Sequence, residues 1–336
     1  MELNLNNIKL NIQGESHSKQ LDIIALNFPK EEFDYDLLQT FMNRRHGDGS
    51  YLSELCCTQR KEKDVPIIDE YSNTILKAHI MNNDANPDEY KNLRNVLRPG
   101  HADLGAYLKY GRDGLKTGGG EFSGRMTAGL CLVGGIAKQI LAKRGIEINA
   151  YILQIAGINV GFLDEEDEAE FITRIESIKS DGDSCGGVVG CTVKGMPGGV
   201  GGPGTDGLEG DFARALLAIP SAKGVEFGSG FDGTYYTGSV NNDEYYIIDD
   251  KIFSKSNKQG GISGGISTGM NITMNVAFKP VPSIKIKQKT VDIEKMHETT
   301  IEIKGRNDVC IIPRVLPVVE AVAALVVLDR LEKSDE

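Results

Sequence analysis

Tryptophan is absent from the 336 residues, and histidine occurs only five times. No G-x-x-x-x-G-K-[ST] loop occurs, which excludes a P-loop nucleotidase on pattern. The six cysteines, at 56, 57, 131, 185, 191 and 310, include no C-x-x-C pair and have no histidine at ligand spacing. They read as reduced thiols of a cytoplasmic protein rather than a disulfide frame or a metal site. No basic segment followed by an apolar one opens the chain, so a secretory signal is not expected. The longest apolar stretches, MTAGLCLVGGIA and VLPVVEAVAALVVL, are too short or too interrupted to cross a bilayer. Cationic charge is also scarce: 37 Lys and Arg against 48 Asp and Glu leave a net charge of -11. That excludes a broad nucleic-acid face, which needs a cationic surface, but not a local anion site.

What remains is ordinary in bulk and unusual in detail. Hydrophobic residues make up 40% and charged residues 25%, as in a water-soluble globular chain. The length allows one large or two ordinary domains, and no composition break marks a linker. One domain over 1–336 is therefore expected. Helical patterns cover EEFDYDLLQTFMNRR, residues 123–143 with Ser123 as N-cap, GDFARALLAI, and RVLPVVEAVAALVVLDRLEK. Alternating strand patterns are more numerous: KLNIQ near the start, GGVVGCTVKGM, GVEFG, TYYTGSV, EYYIID, GMNITMNVAFKP, SIKIK and TTIEIK. Such alternation suits antiparallel strands with one wetted face. The fold class is α+β, with helices packed on antiparallel sheets.

The 40 glycines cluster. GSGFDG matches G-x-G-x-x-G but is followed by a β-rich pattern instead of a helix, so the dinucleotide reading fails its context test. Three other loops, GGGEFSGR (118–125), GMPGGVGGPGTDG (195–207) and GGISGGISTGM (260–270), are tight turns or points of backbone access to an anionic ligand. The first opens a buried helix. Around them lie turn-borne polar residues. VLRPGHADLGAYLKYGRDG places Arg98, His101, Asp103, Lys109 and Arg112 together, and Pro99-Gly100 forces a turn before His101. KGRNDVC puts Arg306 and Asp308 on another turn, and Gly14-Glu15-Ser16-His17 ends the first strand. Arginines 44, 45, 98, 125 and 306 in an acidic chain suit a small polyanionic substrate, since guanidinium forks pair with carboxylate and phosphate. Histidine titrates near neutrality and can move protons there. His46, His79 and His297 read as surface or capping residues. Ser16 and His17 are adjacent in an extended segment, so their side chains diverge and a Ser–His nucleophile pair is not expected.

In these motifs the chain resembles the chorismate synthase family over nearly its whole length. The matching stretches, in order, are GESH (14–17), RRHG (44–47), RPGHAD (98–103), KYGRD with GGGEFSGR (109–125), KGVEFGSGF (223–231), GGISGGISTG (260–269), KPVPS (279–283) and GRNDVC (305–310). The resemblance implies a single-domain β-α-β sandwich assembled as a homotetramer. It implies a 1,4-anti elimination of phosphate from 5-enolpyruvylshikimate 3-phosphate, giving chorismate, with reduced FMN required and NADPH as a possible reductant. His17 would protonate the departing phosphate, His101 would act near flavin N1 and the C2 oxygen, and Asp308 would work with N5 to remove the ring proton. Arg44, Arg45, Arg98 and Arg125 would hold the substrate. Ser123, Pro220, Ser221, Gly264, Lys279, Pro280, Val281, Pro282, Ser283 and Arg306 would contact the flavin. Glu121-Phe122-Ser123 stands where the family has Arg-Ser-Ser. The alternative is a paralogue that binds flavin or a shikimate-like anion without catalysis.

Overall fold

A computed structural model of the chain describes residues 1–15, 18–47, 49–58, 64–82, 95–115, 117–161, 165–303 and 307–332. Strands β1 (Glu2–Asn4), β2 (Lys9–Gln13) and β3 (Gln20–Leu26) are followed by helices α1 (Tyr35–Asn43) and α2 (Tyr51–Cys56), then β4 (Pro66–Tyr71) and β5 (Ile75–Met81). These strands form one sheet in the order β1-β2-β3-β5-β4. Next come α3 (Asp103–Tyr110), α4 (Thr127–Lys143), β6 (Glu147–Ile155), β7 (Ile158–Asn159), α5 (Glu165–Ser180), β8 (Gly187–Lys194), α6 (Leu208–Leu217), β9 (Ala222–Phe227) and α7 (Gly238–Asn241). Two hairpins, β10 (Tyr245–Ile248) with β11 (Lys251–Ser254) and β12 (Ile262–Ser263) with β13 (Ile266–Ser267), precede β14 (Ile272–Phe278). A third hairpin, β15 (Gln288–Asp292) with β16 (His297–Ile301), leads into α8 (Ile312–Leu331). The second large sheet runs β7-β6-β8-β14-β9. Strand pairings among the described residues are antiparallel throughout.

Two helices fill the space between the sheets. α4 and α8 are apolar on nearly every side, the pattern of helices with no wetted face, and both are buried along most of their length. α4 packs on β3 and α1, whereas α8 packs on β6 and β8. Their crossing is close because a Cβ on Gly134 would stand 2.5 Å from the Ala321 Cβ. No side chain fits there, so glycine sets the helix separation. The layers are therefore sheet, paired helices, sheet: the expected β-α-β sandwich.

Two strand expectations fail locally. TYYTGSV folds as a 3-10 turn, Gly230–Tyr235, followed by α7. Its backbone bonds close locally: the Thr237 carbonyl accepts from Val240 and Asn241 at 3.0 Å each, and the Ser229 carbonyl accepts from Gly233 at 3.1 Å. SIKIK is not a strand either. Pro280 and Pro282 lie just ahead of it, and the Lys285 amide donates to Gly182 across a loop at 2.8 Å rather than into a ladder.

Candidate active site

The Arg98–Asp103 turn brings three charged or titratable groups into contact. Pro99 and Gly100, the latter at φ +71°, reverse the chain, and α3 begins at Asp103. The Asp103 carboxylate accepts from the Arg98 amide at 2.9 Å and from its guanidinium Nε at 2.8 Å and Nη2 at 2.7 Å. It also meets His101 Nδ1 at 2.8 Å. Arg98 Nη2 lies 3.2 Å from the same Nδ1, yet a guanidinium can only donate. The shorter contact, to an acceptor-only carboxylate, decides the tautomer: Nδ1 carries hydrogen, and Nε2 lies on the Gly119 side of the ring. Burial pushes the Asp103 carboxyl up, but hydrogen bonds from His101 and Arg98 outweigh it and hold the group far below the usual carboxylate range. The site thus keeps a fixed negative charge behind the imidazole.

His101 lies against Gly119, where an added Cβ would stand 3.0 Å from Cε1 and 3.1 Å from Nε2. Gly119 has φ +96°, so both space and backbone demand glycine at this point of the GGGEFSGR loop. Beside the ring opens a cavity of about 560 Å3, within the roughly 300–1,000 Å3 common for small-molecule sites. Its walls include His101, Glu121, Phe122, Pro220, Ser221, Lys223 and Lys279. The Lys279 amide donates to the Ser221 carbonyl at 3.0 Å, and its ammonium donates to the Gly100 carbonyl. Pro282 packs on the same turn, 3.3 Å from where a Gly100 Cβ would be. Pro280 abuts Gly186, the Val281 carbonyl accepts from Ser184 Oγ at 2.7 Å, and Ser283 follows in the same loop. His101, Pro220, Ser221 and Lys279 therefore share one cavity, with Pro280–Ser283 behind it. Gly264, at the tip of the β12–β13 turn, is not among its walls.

The arginines meet carboxylates inside the protein. Arg44 forms a two-pronged pair with Glu320 at 2.9 and 2.8 Å, and Lys138 and the Ala150 amide bind the same carboxylate. Asp64, fully buried, lies between Arg45 and Arg125 and binds both. Burial opposes ionisation of Asp64, but the two guanidiniums prevail and lower its pKa. His46, set aside on sequence, stands 3.6 Å from Asp64. Ser123 Oγ accepts from the Arg125 amide at 3.2 Å, capping the 3-10 turn ahead of α4 as its sequence position suggests.

Asp308 is buried and accepts from the Thr58 amide and hydroxyl at 2.8 Å each, and Arg314 Nε lies 3.0 Å from its other oxygen. Arg314 also donates to the Arg45 carbonyl at 3.3 Å. A chain of opposite charges thus runs Asp308–Arg314, past the Arg45 backbone, to Asp64 and Arg125, and the Gly119 loop joins it to His101. Burial and the Asp308 charge push the neighbouring Cys57 thiol up to about 11, so it stays protonated.

Resemblance to known proteins extends over nearly the whole chain. The chorismate synthase family model matches residues 8–331. Chorismate synthase of Thermococcus kodakarensis is 37% identical, over 96% of this chain and 96% of that protein. Those of Pyrococcus abyssi and Prochlorococcus marinus are 38% and 39% identical over 95% of this chain, and over 94% and 93% of their own lengths. A crystal structure of chorismate synthase superposes with a TM-score of 0.73, covering 98% of this chain and 92% of that one at 24% identity.

The chain belongs to the chorismate synthase family. Two residues assigned from chorismate synthase motifs, His17 and Arg306, lie outside the described residues. Conversely, Asp64, Glu320, Arg314 and Thr58 escaped the sequence reading. One signal for Asp64 and Glu320 was available: four arginines expected at one site require internal counter-charges to be held in place. Lys223 lay inside a quoted chorismate synthase motif, KGVEFGSGF, without a role.

Proposed function

We propose that this chain is a lyase that eliminates phosphate from 5-enolpyruvylshikimate 3-phosphate to give chorismate, with reduced FMN bound in the cavity beside His101. The C–O bond to phosphate breaks, a ring C–H gives up its proton, and a ring double bond forms, with no net redox change. The observation that carries the reading is the His101–Asp103 pair on the wall of a cavity shared with Ser221 and Lys279. Cavity size, cationic walls and a bare backbone at Gly119 fit a flat cofactor with an anionic tail. Reduced FMN, when bound, supplies electron density that assists loss of phosphate.

The protein's part is to bind, orient and move protons. Pro220, Ser221 and Lys279 would hold the flavin from the cavity wall, and Ser123, Gly264, Pro280–Ser283 and Arg306 are the further contacts that the family motifs imply. His101 presents Nε2 to the flavin, with the tautomer set by Asp103. His17 delivers a proton to the leaving phosphate, and Asp308, oriented by Thr58 and Arg314, takes the ring proton. Arg44, Arg45, Arg98 and Arg125 line the anion's surroundings, their forks fixed by Glu320, Asp64 and Asp103. The test is an anaerobic assay with dithionite-reduced FMN, with NADPH replacing dithionite in a second arm. Chorismate and phosphate should appear in equal amounts in the first arm. Tight binding without turnover would favour the binding-only paralogue.

The chain works as a homotetramer in the cytoplasm. Supporting the assembly, Ile247 and Ile252, paired across the β10–β11 hairpin, are 72% and 74% exposed. Apolar surface of this kind is commonly covered by a partner. Light scattering should give the mass of four chains, and Ile247→Glu with Ile252→Glu should lower it. A single-chain mass at micromolar concentration would refute the assembly. The free thiols of the six cysteines suit a reducing compartment. Among the described residues no helix is long and apolar enough to cross a membrane.

A further inference from the structure

We infer that Lys223 and Lys279 form a two-ammonium clamp for a phosphate monoester, which makes Lys223 a binding residue of the cavity. This rests on the proposed function, which supplies two such groups: the tail of FMN and the leaving group of the substrate. The argument starts from charge. Every described arginine assigned to the anion already faces an internal carboxylate: Arg44 faces Glu320, Arg45 and Arg125 share Asp64, and Arg98 holds Asp103. Their charge is largely neutralised before a ligand arrives. Among the described side chains of the cavity, the uncompensated cations are the two lysines.

Lys223 is the second residue of β9, Lys279 follows β14, and these strands are neighbours with Ala222 paired to Phe278. Both lysines line the cavity. Among the described residues neither ammonium has a carboxylate within ion-pair distance. Glu121, the carboxylate of the cavity wall, pairs with neither. Burial first, and then the Lys223 charge, lower the Lys279 pKa. Two like charges facing one space without a counter-ion repel each other, and a phosphate monoester, carrying about -1.5 to -2 at neutral pH, relieves both. A single carboxylate would neutralise only one.

The experiment compares each phosphorylated ligand with its dephosphorylated partner: FMN with riboflavin, and 5-enolpyruvylshikimate 3-phosphate with 5-enolpyruvylshikimate. Flavin affinity is read by fluorescence quenching and substrate affinity by calorimetry. Lys223→Gln should weaken binding of one phosphorylated ligand by roughly ten- to a hundredfold, the loss of one charged hydrogen bond. Its dephosphorylated partner should be unaffected, and Lys223→Arg should restore most of the loss. The pair that responds identifies the phosphate held. Lys223 is exposed, so thermal unfolding of the variant should match the parent. Equal weakening within both pairs, or no weakening in either, overturns the clamp. If the unaltered chain binds neither phosphorylated ligand, the proposed function falls and takes the clamp with it.

Discussion

His101→Ala is expected to lower turnover by roughly 10²–10⁴-fold, the usual contribution of a positioned proton-transfer group. Stopped-flow measurement of chorismate formation with pre-reduced FMN would read it directly. The fold should survive, because Arg98 and Asp103 still bind each other through three contacts. Asp103→Asn should act on the same step by a different route. It leaves the imidazole in place but removes the charge that fixes Nδ1–H, so the turnover–pH profile should shift while flavin affinity changes little. It also leaves the buried Arg98 guanidinium without its counter-charge, so some stability is lost with it. Turnover within threefold of the parent in His101→Ala would remove the imidazole from the chemistry.

Asp64→Ala should cost about 3–5 kcal/mol of folding stability at pH 7, because it leaves two buried guanidiniums uncompensated. Urea unfolding of parent and variant measures this. The pH dependence follows from the sign of the shift. The folded-state pKa of Asp64 lies below its ordinary value of 3.8. Its contribution is therefore complete above that value and drains away as pH falls toward the folded pKa. Glu320 behaves alike, with its ordinary value at 4.5 and its folded value lowered against burial by Arg44 and Lys138. The parent should thus lose stability steeply below about pH 4, and Asp64→Asn should show a shallower decline. A loss under 1 kcal/mol in Asp64→Ala would mean that the two arginines find other partners or water.

Local pattern carried much of the architecture. The helices at 35–43, 127–143, 208–217 and 312–331 all fall within or beside stretches whose apolar spacing announces them. The turn before His101 followed from Pro99-Gly100 alone. Strands β3 to β6 and helix α5 were not singled out, and α5 is so rich in acidic residues that its apolar face is thin. TYYTGSV misled because alternation is only half of a strand: an edge to pair with is the other half, and its backbone bonds close on Ser229 and Thr237 instead.

The site was legible as residue types rather than as pairings. Arg44 and Glu320 are 276 residues apart in the chain, and Thr58 and Asp308 are 250 apart. No local pattern records which carboxylate meets which guanidinium. Arg44, Arg45, Arg98 and Arg125 were therefore read as open hands for a ligand, whereas in the folded chain each grips an internal acid. The lysines of the cavity wall, Lys223 and Lys279, carry no such pairing among the described residues, which burial and contacts reveal and local pattern does not.

A crystal structure of the protein soaked with FMN tests the central claim most directly. The account predicts a flavin ring within hydrogen-bond reach of His101 Nε2, in the cavity walled by Ser221 and Lys279. A flavin seated elsewhere, with His101 facing only water, would contradict it.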